Sequence, residues 1–271
     1  MRKISINQKR NILLSSLGVF LFSFICIKVV IILSKYIVAW IFGIDTFLVS
    51  FRLMGISPSY SQVWSVTSVY AFYSIELIVP LIFYLAALSL LIRNTKKHTN
   101  VKVFYLWLGF TSFYIFFASI IAGIVTKTNI FHFLQWIYIP YYIMMLIAVL
   151  IFVVSIVFAF FYNKKFIIVS PIEEPDMPTQ RTIMYYSVFL PLLIAIITLS
   201  VTIMFSFHKY ELCELMVLFT MAMPAVLYFF PINVYYASTF SYSAKHRPSL
   251  FFGLLGCSSF LLIGLIKILF K

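Results

Sequence analysis

Charged residues are scarce in this 271-residue sequence: 10% are Asp, Glu, Lys or Arg, 63% are hydrophobic, and the mean hydropathy is +1.08. A soluble domain carries about 25% charged residues, which keep its surface solvated. The composition therefore excludes a secreted soluble enzyme and a disordered chain, and it predicts an integral membrane protein. In such a protein the basic residues are first of all signals of membrane orientation.

Cysteines and catalytic motifs are also few. The odd number of cysteines, all in or beside apolar runs, predicts no disulfide framework, metal cluster or redox pair: Cys26, Cys213 and Cys257. The sequence lacks an H-E-x-x-H zinc motif, a G-x-S-x-G nucleophile turn and a P-loop, and its only aspartates are Asp45 and Asp176. We therefore expect no catalytic residue and no cofactor, although an enzyme without a sharp motif stays open.

Long apolar runs are what the sequence has in abundance. A helix needs about 20 mostly apolar residues to cross a bilayer. Runs of that length lie near residues 12–42, 69–92, 103–126, 137–162, 183–207, 212–236 and 249–270. They predict an all-α, polytopic transmembrane helix bundle that forms one domain over residues 1–271. The first run is longer than a straight span requires, which favours a tilted helix or one that continues past the interface.

Basic residues alternate between the two sides of these runs. Every second connection, counted from the N-terminus, is rich in them: Arg2, Lys3, Lys9, Arg10, Arg93, Lys96, Lys97, Lys102, Lys164, Lys165, Arg181, Lys245 and Arg247. The other connections hold one each, Arg52, Lys127 and Lys209. Because short basic loops stay in the cytoplasm, we expect a cytoplasmic N-terminus and an external C-terminus. The cytoplasmic charge is also expected to attract anionic lipids.

Two connections are long enough to describe. The external segment 43–68 is fairly apolar and is expected to lie along the membrane surface. The segment 163–181 holds three acids and three prolines and is expected to be an extended cytoplasmic loop. Neither is large enough for a soluble domain.

Small residues recur at helical spacing on three runs, where they allow helices to approach closely. They are Gly109, Ser112, Ser119, Gly123 and Thr126; Ser187, Pro191, Ala195, Thr198, Thr202 and Ser206; and Gly253, Cys257 and Gly264. We expect these faces to point inward, with Phe, Ile and Leu toward lipid. Alternatively, the second set lines a hydrated path, with Pro191, Pro224 and Pro231 permitting local unwinding.

Three charged residues lie deep inside the predicted spans, where charge is costly and often functional: Lys28, Lys35 and Glu76. Counted from the external helix ends, Lys35 and Glu76 lie about 12 Å and 10 Å deep, so they can pair. Lys28 precedes Lys35 by two turns and shares its face. The structural interpretation is an ion pair plus a snorkelling lysine; the functional alternatives are a titrating Glu76 or an anionic ligand held by Lys28.

A second group lies at the predicted external side: His208, Glu211 and Glu214 at i, i+3 and i+6, with His132 on another connection. One histidine and two carboxylates on adjacent turns are typical of a metal or proton site. Acids in a first helical turn are also favoured by the helix dipole, and Lys209 is beside them. The favoured interpretation is therefore helix capping by solvated acids.

A resemblance covers about half of the chain. The stretch from Leu77 to Trp136, above all KVFYLWLGFTSFYIFFASIIAGIVTKTNIFHFLQW, resembles uncharacterised polytopic inner-membrane proteins of Bacteroidetes. The likeness consists of a basic loop, an L-W-L helix start, F-F before small residues and a closing Trp, and it extends to FIIVSP and to the P-L-L-I of the fifth run. It implies a bacterial cytoplasmic (inner) membrane and no particular activity.

Three functions stay open. The favoured one is a non-enzymatic integral membrane protein, either transporter-like or a membrane subunit or scaffold of a larger assembly. The second is a small-solute or lipid permease that uses Lys28, Lys35 and Glu76. The third is an intramembrane enzyme with an external His/Glu site. The expected partners are the lipid bilayer and other membrane proteins, and no nucleic acid.

Overall fold

The computed structural model describes residues 6–49, 52–55, 64–93, 99–169, 177–204 and 209–227. Its helices are α1 (Ile6–Phe42), α2 (Val66–Arg93), α3 (Thr99–Thr126), α4 (Ile130–Trp136), α5 (Tyr141–Ile168), α6 (Met177–Met184), α7 (Leu190–Met204) and α8 (Lys209–Leu227). A π-helical turn, Tyr185–Phe189, joins α6 to α7 without a break. Two short strands, β1 (Thr46–Val49) and β2 (Arg52–Gly55), form an antiparallel hairpin.

Among these residues, five helical segments are long and apolar enough to cross a membrane: α1, α2, α3, α5 and the continuous α6–α7 segment. This confirms the all-α, membrane-embedded class. The five segments correspond to the first five predicted runs, and α8 contains the start of the sixth run. The seventh run, with Gly253, Cys257 and Gly264, lies outside the described residues, as does Pro231.

Helix α1 begins earlier than predicted and is one unbroken helix of 37 residues, about 55 Å long. Its sequence contains no proline, so nothing interrupts the backbone hydrogen bonds. It ends at Gly43, whose φ of 63° is the left-handed conformation that commonly ends helices. The Ile44 N–H donates to the Ala39 carbonyl across this turn. The chain therefore reverses there into the hairpin.

The hairpin forms the described part of the segment 43–68, for which a position along the membrane surface stays a prediction. Val49 is opposite Arg52 in the strand register, and the side chains of Arg52 and Leu53 are buried. The turn brings a basic residue from a connection back against the helices. A short strand pair satisfies its own backbone hydrogen bonds locally, which allows it to pack there.

The prediction of an extended loop over 163–181 is wrong for the residues of it that the structure describes. Helix α5 continues to Ile168, and α6 already begins at Met177. The first charged residues, Lys164 and Lys165, do not end α5, because their ammonium groups lie over aromatic rings of the same helix. Helix α5 is also fixed to α3 there, since Tyr162 Oη donates to the Leu106 carbonyl at 3.0 Å.

Phenylalanines were expected to point toward lipid, and many instead fill the core. Phe20, Phe72 and Phe110 are fully buried, and the rings of Phe113 and Phe158 stack with centroids 4.0 Å apart. The exposed large side chains of α2 and α5 are mostly Ile, Leu and Val. Aromatic pairs gain from ring geometry in addition to contact area, which favours ring-to-ring packing inside the bundle.

The small residues of α3 lie at helix contacts. A Cβ at Gly109 would clash with the Tyr162 hydroxyl, and one at Gly123 would clash with Ile130. Ser112 and Ser119 are buried, and Thr126 is half-buried. This face therefore points inward and lets α4 and α5 approach closely.

The stripe around α7 is less uniform. Ser187 and Ala195 are buried, whereas Thr198 is half-buried and its hydroxyl donates to the Ile194 carbonyl of its own helix. Pro191 has no N–H for the carbonyl of Ser187, and the π-helical turn ends two residues before it. The side chain of Thr202 lies outside the described part, as does Ser206.

Candidate functional site: a buried paired-charge network

Three buried ion pairs extend toward the middle of the bundle from the end where α1 ends and α2 begins. They are Lys35–Glu76 at 2.6 Å, Lys28–Glu214 at 2.7 Å and Arg52–Glu211 at 3.3 Å. At most 7% of any of these six side chains is exposed. We call the six residues the paired-charge network. It joins α1, α2, the hairpin and α8.

The pair of Lys35 and Glu76 is the one that their depths along α1 and α2 predict. Lys35 Nζ donates to Glu76 Oε1, and the ammonium lies 4.8 Å from the Phe72 ring centroid. The same carboxylate oxygen accepts a 2.9 Å hydrogen bond from Asn129 Nδ2. Asn129 lies between α3 and α4 with a positive φ of 50°. The contact of Asn129 with Glu76 was not predicted, and the sequence signal for it was the T-K-T-N turn that ends in Asn129.

Lys28 does not snorkel, because it donates to Glu214. Glu214 was expected to be a solvated acid near a helix start, and that interpretation is wrong. Helix α8 begins at the exposed Lys209, but its next turns are buried, and it packs through Leu218 and Ala222. In addition, Tyr114 Oη donates to the Glu214 carbonyl at 3.2 Å, which fixes α8 against α3. The Glu214 side chain is thereby held on the face that meets α1.

Arg52 and Glu211 form the third pair, and both were expected to be external charges. Arg52 Nε donates to Glu211 Oε1, and Arg52 Cζ lies 3.6 Å from the Tyr210 ring centroid. Two atoms of this pair, Arg52 Nη1 and Glu211 Oε2, are buried and have no hydrogen-bond partner among the described residues. The hairpin thus supplies a guanidinium group to a site whose carboxylates come from helices.

Tyr210 connects two of the pairs, a role that was not predicted from the sequence. Its hydroxyl lies 3.5 Å from Glu76 Oε2, its ring lies under Arg52, and Glu214 follows it by one helical turn. A phenol can donate a hydrogen bond and exchange its proton, so Tyr210 places an exchangeable hydrogen beside the Glu76 carboxylate. The available signal was the spacing Y-E-x-x-E at the start of α8.

His132 does not join this network. It lies on α4 with its ring 5.7 Å from that of Tyr73. Burial lowers the pKa of His132, and its hydrogen bond with Gln135 opposes that shift. Across the described ranges, no group of three or more His, Cys, Asp or Glu is placed to hold a metal. His208 lies outside them, and Glu211 and Glu214 are each bound to a cation.

A second polar feature lies at the opposite end of the bundle and was also missed. Asn163 on α5 is fully buried, and neither its amide nitrogen nor its amide oxygen has a partner in the part of the chain that the structure describes. Trp107 Nε1 on α3 is also buried and has no hydrogen-bond partner among the described residues. The Phe166 ring, one turn from Asn163, lies 4.9 Å from the Trp107 ring.

Comparison of the chain with protein-family models, curated proteins and solved structures finds no match. Function must therefore be argued from the site itself. The structure shows a membrane-embedded protein with several apolar helices, in whose core three carboxylates are each paired with a basic side chain.

Proposed function

We propose that this chain is a non-enzymatic, transporter-like protein of a bacterial cytoplasmic membrane, with its N-terminus inside. In this proposal, proton binding to the paired-charge network drives a conformational change. The observation that carries it is the arrangement of Glu76 and Glu214, each ion-paired, around the hydroxyl-bearing Tyr210.

Stability alone is a poor explanation for this network. Replacing a buried ion pair by apolar residues of similar volume is often neutral or stabilising, because desolvation offsets the attraction. Ionisable groups at membrane depth are rare and mark ion or substrate paths. Three such pairs in one bundle therefore favour a functional role over a purely structural one.

The pairing also provides two states. When Glu76 is ionised, it holds Lys35 and Asn129. A proton on Glu76 removes the charge that holds Lys35, and α1 and α2 then lose the ion pair that joins them. Competition between a proton and a lysine for one carboxylate is thus a chemical basis for coupling protonation to helix movement.

The network runs along the helices. Lys28 lies seven residues before Lys35 on α1, about 10 Å along the helix. Arg52 extends the polar residues to the hairpin. With the orientation that the basic residues predict, this polar path leads from the external side toward the midplane. Such a path is what a permease using Lys28, Lys35 and Glu76 requires.

The enzyme hypothesis and the membrane-subunit alternative receive less support. The enzyme hypothesis needs the external histidines and glutamates around one point, whereas Glu211 and Glu214 face Arg52 and Lys28. A membrane subunit needs no internal charges. The network therefore favours transport, which the transporter-like and permease hypotheses share, over an enzyme or a membrane subunit.

The proposal is tested in proteoliposomes of purified protein on a solid-supported membrane, with a pH jump as the only stimulus. We expect a pH-dependent charge displacement in the wild type, reduced at least tenfold in Glu76→Gln and Glu214→Gln. Asp45→Asn is the matched control, because it removes an exposed acid outside the network. It should leave the signal unchanged.

If the single variants fold poorly, the double variant Lys35→Leu/Glu76→Leu replaces the pair by apolar residues that the bundle should accept. It should fold and show no charge displacement. A wild type without any response, or a folded Glu76→Gln with the full response, would overturn proton coupling. A silent wild type would then leave the membrane-subunit hypothesis.

A further inference from the structure

We propose that the Arg52–Glu211 pair binds a small zwitterion, a molecule such as an α-amino acid that carries a carboxylate and an ammonium group close together. The inference deepens the proposed function, because it names the class of solute that the transporter would accept. It rests on unused hydrogen-bonding atoms in a buried site.

The pair leaves one donor and one acceptor unused. The described contact between the two side chains joins Arg52 Nε and Glu211 Oε1 at 3.3 Å. Arg52 Nη1 and Glu211 Oε2 are both buried, and neither meets a hydrogen-bond partner within the described ranges. Arg52 Nη1 is two covalent bonds from Nε, and Glu211 Oε2 is two covalent bonds from Oε1, so both unused atoms lie near the 3.3 Å contact and within reach of one small molecule. Leaving such atoms unpaired is costly, which calls for a ligand or an ordered water.

The guanidinium group is held in place before any ligand arrives. Its Cζ lies 3.6 Å from the ring centroid of Tyr210, which precedes Glu211 in the sequence of α8. Stacking on an aromatic ring fixes the plane of an arginine and leaves its edges free to bind. The site is thus preorganised, with a cationic edge and an anionic edge next to each other.

These edges specify the chemistry of the ligand. A guanidinium N–H is best satisfied by a carboxylate, and a carboxylate oxygen by an ammonium group, in charge-assisted hydrogen bonds. A molecule with only one of these groups would satisfy one edge and leave the other unpaired. An α-amino acid carries both on neighbouring atoms.

The charge balance of the network points to the same class. Its three basic residues and three acids sum to zero. A ligand with net charge would leave an uncompensated charge in a buried site, which is strongly unfavourable. A zwitterion adds no net charge and still provides both hydrogen-bonding groups.

The test measures the melting temperature of the full-length protein in detergent at neutral pH. The probes are the standard amino acids, with alanine compared with propionate and ethylamine, which each lack one charged group. We expect a saturable rise with at least one amino acid and none with propionate or ethylamine. Arg52→Gln and Glu211→Gln should lose the rise, Arg52→Lys should weaken the apparent affinity at least tenfold, and Asp45→Asn should behave as wild type.

If those variants do not fold, Arg52→Met/Glu211→Leu provides an apolar pair that should fold and give no rise. The inference is overturned if no amino acid gives a saturable rise, which would mean that ordered water alone fills the site. It is also overturned if propionate matches alanine, or if Arg52→Gln or the double variant keeps the rise.

This experiment is independent of the pH-jump measurement, which uses no added solute. A proton-driven charge displacement without an amino-acid effect would overturn the zwitterion site alone. A saturable rise in a protein that shows no charge displacement would overturn proton coupling and support the binding site.

Discussion

Lys28 and Glu214 are 186 residues apart in the sequence, and their side chains meet at 2.7 Å inside the bundle. This contact changes the net charge inside the bundle from the value that the sequence predicts. From the sequence, the predicted spans carry a net charge of about +1, from Lys28 and Lys35 less Glu76. In the structure, Arg52, Glu211 and Glu214 are buried with them, and the six charges cancel.

The Lys35–Glu76 pair should couple the stability effects of its two residues. Lys35→Leu alone and Glu76→Leu alone should each lower the free energy of unfolding by about 3–5 kcal/mol, because each leaves one buried group unpaired. The double variant should lie much closer to wild type. Denaturant unfolding in mixed micelles measures all three, with Asp45→Asn as the control. Strictly additive losses would contradict the pair.

The close approach of α3 and α5 gives a second prediction. Gly109→Ala should destabilise the protein, because the added methyl group clashes with the Tyr162 hydroxyl. Tyr162→Phe removes that oxygen, so Gly109→Ala should cost less in its presence. A double-mutant cycle of melting temperatures measures the coupling. If Gly109→Ala costs the same in both backgrounds, the contact does not limit packing there.

The buried amide of Asn163 predicts that an apolar side chain at this position stabilises the protein. Asn163→Leu keeps the side-chain size and removes a buried amide without a described partner, so it should raise the free energy of unfolding by about 1–3 kcal/mol. Asn163→Asp should be strongly destabilising, because it buries a charge in an apolar site. Unfolding of both variants in detergent checks this. A stable Asp variant together with a destabilised Leu variant would indicate a hydrated site.

His132 gives a pH dependence. Its pKa is lowered by burial below the value of about 6.5 expected in the unfolded chain, so the unfolded state binds more protons in this range. Stability should therefore be complete above pH 6.5 and decline as the pH falls toward the lowered pKa. Melting curves between pH 8 and pH 5 should show a smaller decline in His132→Gln. An identical decline would assign it to other groups.

The proposed orientation predicts which sites are open to solvent on each side. In a background with the native cysteines replaced by serine, Asp45→Cys should react with a membrane-impermeant maleimide in intact cells. Lys97→Cys should react only after the cells are opened. The reverse pattern would place the N-terminus outside and invert the proposed polar path.

The sequence predicted some of this site for a clear physical reason. Lys35 and Glu76 lie on long apolar helices, and depth along a helix follows from its fixed rise. Glu211 and Glu214 offered no such signal, because acids near a helix start look the same whether water or a basic residue surrounds them. Their burial depends on how α8 packs between other helices, which is a tertiary property.

The hairpin was missed for a related reason. A connection of apolar and small residues fits a membrane-surface segment as well as two short strands, and only its packing shows that Arg52 is inside. The burial of the core phenylalanines was not predicted for the same reason, because hydropathy does not distinguish a ring that faces lipid from one that faces another ring. Local pattern gave the helices, and contacts distant in sequence gave the site.

The distance in sequence between Lys28 and Glu214 also has a consequence for biosynthesis. A ribosome adds roughly 5–20 residues per second, so the 186 residues between the partners take roughly 10–40 s to synthesise. During that interval Lys28 has no Glu214 to bind, and a lone ammonium at the centre of a lipid-exposed helix is unfavourable. We therefore expect α1 to settle at its final depth only after α8 emerges. Nascent chains arrested before Glu211 should then leave Cys26 more accessible to thiol reagents than completed chains do.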